Sequence, residues 1–126
     1  GTKDQVPTLL KWLKSDDSFS RSAAVRGLGR LKEKSAAEPL AAMLATGGSD
    51  GYQAVEALTK IGPDAEAAVL PLLKEKHIET RRQVCNVLKQ IGTKKSLEPL
   101  REMMLSNDRM LNDAASEAVR AIMSRE

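Results

Sequence analysis

His77 and Cys85 are the only histidine and the only cysteine in the chain, so the familiar nitrogen–sulfur zinc sets, built from several such ligands at defined spacing, cannot be assembled. Hydrolytic or redox catalysis also needs a convergent group, with a nucleophile, a base and a residue to orient the base. His77, flanked by Lys76 and Glu79, shares its column with Asp17 and Asp108, which reads as a turn position where the ring is solvated or caps a helix. Cys85 shares its column with Val25, Val55 and Ser116 and reads as a small buried filler. Alone, it forms no intramolecular disulfide. Gly27-Leu-Gly29 lacks a third glycine and lies inside a helical stretch, so it is no phosphate loop. No catalytic, metal-binding or cofactor-binding residue is expected. Recognition has better material: Tyr52, Gln53, Glu56, Arg82, Gln83 and Asn86 bring an aromatic ring, an arginine and amides, the kinds of side chain that anchor interfaces.

Those six residues share a face because the sequence repeats. Leu31, Ile61, Ile91 and Ile122 follow one another at steps of 30, 30 and 31. Three residues before them stand Leu28, Leu58, Leu88 and Val119, and seven before them Ala24, Ala54, Val84 and Ala115. Apolar residues three and four apart mark one side of a helix. Upstream, Leu9-Leu10-x-x-Leu13 returns as Val69-Leu70-x-x-Leu73, with Leu40-x-x-x-Leu44 and Leu100-x-x-x-Met104 in the other two copies. Each copy thus holds two amphipathic helices, and a period of 20–50 residues is the mark of a stacked solenoid.

The expected copies are 5–31, 35–61, 64–91 and 96–123, in one continuous domain. In the first, helices over 6–14 and 20–31 flank a turn at Asp16-Asp17-Ser18, with Pro7 tolerated in the first turn. In the second, Gly47 to Gly51 reads as the loosest joint, with Ser49 or Asp50 as the cap. Gly62-Pro63-Asp64 and Gly92-Thr93 read as helix stops.

RSAAVRGLGRL from Arg21 to Leu31 and RRQVCNVLKQIG from Arg81 to Gly92, with the Glu-Pro-Leu openings at Glu38 and Glu98, resemble HEAT repeats, and among them the short bacterial repeats called PBS-lyase HEAT-like. The resemblance covers nearly the whole chain. It implies an all-α, right-handed superhelical solenoid of four two-helix repeats, whose second helices line a concave groove. It also implies a polar ladder between repeats, joining the first arginine of each second helix to a turn aspartate. Gly51 and Asn112 replace that arginine, and His77 replaces the aspartate held at Asp17 and Asp108. A di-iron hydroxylase family with such repeats uses His-Glu pairs as ligands, and no His-Glu dipeptide occurs here.

Composition is that of an ordinary soluble domain. The chain is 41% apolar and 29% charged, with 2% aromatics, so the core must be Leu, Ile, Val, Ala and Met. Trp12, in the column of Leu72 and Met103, reads as a packing residue of a first helix. No apolar run reaches the ~18 residues of a membrane span, and no signal peptide opens the chain, which favours a cytoplasmic setting. Gly1 in place of Met leads us to expect a segment of a larger protein.

The net charge of +3 suits phosphate contacts, yet it is not pooled. Residues 1–34 carry 8 basic and 4 acidic groups, 35–64 carry 1 and 4, 65–95 carry 7 and 3, and 96–126 carry 4 and 6. Alternating sign favours attraction between stacked neighbours over a phosphate track. The expected activity is therefore non-catalytic binding of a protein or peptide on the concave face of the second helices. Nucleic-acid binding, or service as a regulatory or accessory domain of a larger enzyme, stands as the alternative. The methionine-rich last copy, with Met110, Leu111 and Met123, is a second candidate surface if those residues face solvent.

Overall fold

The computed structural model describes residues 3–126, and every regular element among them is helical. Helix α1 (Val6–Trp12) pairs with α2 (Ser18–Arg30), and α3 (Ala37–Thr46) with α4 (Gly48–Ile61). Helix α5 (Glu66–Val69), continued by a 3-10 turn over Leu70–Lys74, pairs with α6 (Ile78–Ile91), and α7 (Leu97–Met103) with α8 (Arg109–Arg125). The third first-helix is split because Pro71 brings no N–H and its ring crowds the carbonyl one turn back. A short 3-10 turn leads into each pair, over Lys3–Gln5, Lys34–Ala36, Pro63–Ala65 and Lys94–Ser96.

The helix period places the repeating columns inside. Leu28, Leu58 and Leu88 are fully buried, as are Ala24, Ala54, Val84 and Ala115, and one apolar cluster runs through all four pairs. In the closing column Ile61, Ile91 and Ile122 are buried, whereas Leu31 is half-buried at the end of the stack, beside Leu9 and Gly27. Successive second helices lie against one another along the stack, while the first helices touch more sparsely. Closest approach needs the smallest residue: a Cβ on Gly29 would lie 3.0 Å from the Cα and Cβ of Ala57. Cys85 is buried as expected, and burial pushes its thiol up to about 12.

Four polar devices pin the layers. Asp17 and Asp108 cap α2 and α8, accepting from Phe19 N–H at 3.2 Å and Leu111 N–H at 2.9 Å. The Ser20 hydroxyl, with the Phe19 amide, holds the Asp17 carboxyl below its ordinary range. Arg21 donates to the Ser15 carbonyl at 2.8 Å and to Asp50 Oδ2 at 3.0 Å in the next pair. Asn112 takes the same post in the last pair, donating to the carbonyls of Met104 and Ser106. The carboxylate of Glu66, only 5% exposed, accepts from the Thr93 amide at 2.7 Å and from the Thr93 and Ser96 hydroxyls. Arg125 donates to the Lys89 and Gly92 carbonyls at 2.7 and 2.9 Å and so caps α6 from α8.

Three expectations are corrected. The joint is short: Gly47 and Gly48, with φ at +84° and +71°, which glycine adopts freely, reverse the chain, and Ser49 and Asp50 wind into the first turn of α4. Neither Ser49 nor Asp50 caps it. The aspartate that meets Arg21 is Asp50, in the next second helix, and not a turn aspartate. Trp12 is 43% exposed, although Leu72 and Met103 of the same column are half-buried against the core.

Candidate functional site

The exposed side of α2, α4, α6 and α8 presents the residues that do not repeat. Tyr52 is 64% exposed, and its hydroxyl donates to Glu79 Oε2 at 3.4 Å, one repeat further on. Glu79 also pairs with Arg82 a turn below it. Arg82 Nη1 reaches Met110 Sδ at 3.2 Å in the fourth repeat. Tyr52, Glu79, Arg82 and Met110 therefore form one line of contacts across three repeats. The i, i+3 spacing of Glu79 and Arg82 sets the middle of that line, because residues three apart are neighbours on a helix.

Two grooves open on the same face. Between α2 and α4, Arg26, Arg30, Gln53, Glu56 and Lys60 line a space of 240 Å³. Between α6 and α8, Glu79, Arg82, Asn86, Met110, Asp113 and Glu117 line one of 280 Å³. Both fall below the roughly 300–1,000 Å³ of small-ligand pockets, so each suits side chains of a longer ligand. The signs differ. In the first groove Glu56 is answered by Lys60 at 3.9 Å, leaving Arg26 and Arg30 without an ion-pair partner among the described residues. In the second, Lys89 holds Glu117 at 3.2 Å and Asp113 has no ion-pair partner among the described residues.

The six residues singled out from sequence are distributed as follows. Tyr52, Glu56 and Asn86 are exposed, and Gln53 and Arg82 are half-buried. Gln53 and Glu56 line the first groove, Arg82 and Asn86 the second, and Tyr52 lies between. Gln83 is corrected: it is 4% exposed, beneath the face instead of on it. Gly51, in the preceding repeat, has no side chain where its counterparts carry Arg21 and Arg81, and Gln83 Oε1 lies 3.4 Å from where its Cβ would stand. Glu79 was missed, although its column holds Phe19 and Met110, which are 84% and 64% exposed. Of the methionine-rich end, Met110 and Met123 face solvent, but Leu111 is fully buried.

His77 is exposed at the first position before α6 and its side chain makes no capping bond. Among the described residues no three His, Cys, Asp or Glu side chains gather to hold a metal ion. No helix among them is long and apolar enough to cross a membrane.

The family model described as HEAT repeats matches residues 1–59 and 51–120. The chain belongs to the HEAT-repeat family. HEAT repeats serve in general as protein-interaction scaffolds, and solenoids of this kind are typically non-catalytic. An engineered protein solved by crystallography as a Northeast Structural Genomics Consortium target has the same fold, with a TM-score of 0.58 at 22% identity over 96% of this chain. The HEAT solenoid described here spans 63% of that protein's length. No curated protein matches the chain.

Proposed function

We propose that this solenoid is a non-catalytic scaffold that holds an extended polypeptide along the exposed face of its second helices. The observation that carries the reading is the line from Tyr52 through Glu79 and Arg82 to Met110, which joins three repeats on one solvent-facing surface. A ligand lying along that line meets a different side chain from each repeat, which is how a solenoid made of near-copies becomes selective. Tyrosine and arginine bring large contact area and directional bonds to such a surface. The acidic lining between α6 and α8 opposes a continuous phosphate track and favours polypeptide over nucleic acid.

Selection from a random peptide-display library tests this. Wild-type protein should enrich a family of related peptides, and the Tyr52→Ala/Arg82→Glu double variant should fail to retain them while keeping its helical circular dichroism. Equal retention by both proteins would move the site to the outer helices or to the Met123 end. Duplex or single-stranded DNA held by the wild type at 150 mM salt would replace the reading with nucleic-acid binding.

A further inference from the structure

Resting on that reading of the face, we infer that the polypeptide it takes is bipolar: acidic side chains at one end sit over Arg26 and Arg30, and a basic side chain about six residues away sits over Asp113. The two grooves occupy equivalent sides of the helix pairs, since Arg26 and Glu117 share a column, yet they carry opposite signs. Among the described residues, the internal pairs Glu56 with Lys60 and Glu117 with Lys89 leave the first groove with two guanidinium groups outside any ion pair and the second with one such carboxylate. A ligand of one sign throughout would be attracted by one groove and repelled by the other. A neutral ligand would answer neither.

The spacing follows from helix geometry. From the α2–α4 groove to the α6–α8 groove is two helix-to-helix steps of about 8–10 Å each. The first groove also lies about one turn, roughly 5 Å, further along its helices. The separation is therefore about 20 Å, which an extended chain at ~3.3 Å per residue covers in about six residues. Midway the ligand passes Tyr52, so an apolar residue belongs at its centre.

Four fluorescent peptides of equal length test the inference by anisotropy: two Glu and two Lys at opposite ends around a central Leu, the same residues with the charges alternating, a Glu-only peptide and a Lys-only peptide. The bipolar peptide should bind about tenfold tighter than the alternating one, the size expected of several exposed charge pairs acting together. That preference should shrink as salt rises. Arg26→Glu/Arg30→Glu, which alters only exposed side chains without ion-pair partners, should abolish the preference for the bipolar peptide and favour the Lys-only one. Asp113→Lys should shift preference toward the Glu-only peptide. Equal binding of bipolar and alternating peptides, or a preference unmoved by either variant, overturns the inference. If library-selected peptides still bind through Tyr52 and Arg82 while showing no charge order, the scaffold reading survives and the bipolar ligand does not. If no peptide of any kind binds, both fall.

Discussion

The two halves of this stack are fastened differently. In the first half α2 meets α4 through bare backbone, with Gly29 against Ala57, and through one half-exposed pair between Arg21 and Asp50. In the second half α8 also comes close, with a Cβ on Gly92 falling 2.7 Å from Ile122 Cδ1, and polar bonds are added: the buried Glu66 takes the amide and hydroxyl of Thr93 and the hydroxyl of Ser96, while the exposed Arg125 closes the carbonyl end of α6. Between the halves, α4 and α6 touch more sparsely than either outer junction. One family of repeats thus stacks by close approach at a glycine in both halves, Gly29 in the first and Gly92 in the second, and adds the buried hydrogen bonds of Glu66 in the second. The proposed binding line crosses the sparse middle, where a ligand gains most by ordering both sides.

Four substitutions break or sharpen this contrast. Leu58→Ala, at a fully buried position on the α4 side of the middle junction, should cost about 2–5 kcal/mol in chemical denaturation, because a deleted core side chain leaves a cavity that the stack closes only partly. A cost as small as that of a surface change would mean the core column is misplaced. Glu66→Ala should cost about 1–3 kcal/mol, since it leaves the Thr93 amide and a buried serine hydroxyl unpaired. Its loss should be local, so thiol labelling of Cys85, on the neighbouring α6, should accelerate.

Gly29→Ala should cost about 1–3 kcal/mol at the other end by forcing α2 away from Ala57, and Cys85 labelling should stay near the wild-type rate. If both variants speed labelling equally, the halves are one cooperative unit and the contrast is only geometric. Smallest of all, Arg82→Ala should change stability by about 0.5 kcal/mol or less, while weakening retention of selected peptides.

The thiol also gives a pH signature. With its ionisation pushed up to about 12 in the fold, against an ordinary value near 8.5 in the unfolded chain, Cys85 stays neutral while the unfolded thiol ionises. Its contribution to stability is complete below about pH 8.5 and is lost as pH rises toward 12. Cys85→Ser should flatten that alkaline decline.

Much of the stacking was legible in the sequence because packing forces neighbouring copies to agree: Leu28, Leu58 and Leu88 had to be alike to fill equivalent spaces. Asp17 and Asp108 were legible as turn residues of one column, but not as caps: the family resemblance set them against arginines, whereas they accept from the Phe19 and Leu111 amides. What could not be read were contacts set by the offset between one repeat and the next. Glu66 looked like an ordinary acidic residue in a first turn, and only the arrival of Thr93 and Ser96 beside it makes burial tolerable. Arg125 reaches carbonyls more than 30 positions upstream, with no periodic partner to announce it. Gln83 falls on the outer face by the helix period, in the column of Ala23, Gln53 and Ala114, but the room made by Gly51 lets it lie inward.

The buried carboxylate of Glu66 also decides how the chain avoids mistakes while folding. Modules this similar invite misassembly, with one repeat docking on the wrong neighbour or on another molecule's equivalent. The matching position is Ala36 in the second repeat and Val6 in the first, so neither can answer Thr93 and Ser96, and Glu66 set against any other repeat would be an unpaired buried charge, a penalty of several kcal/mol. A single acid therefore serves as an address: its partners lie in the fourth repeat, and it makes shuffled or swapped stacks costly.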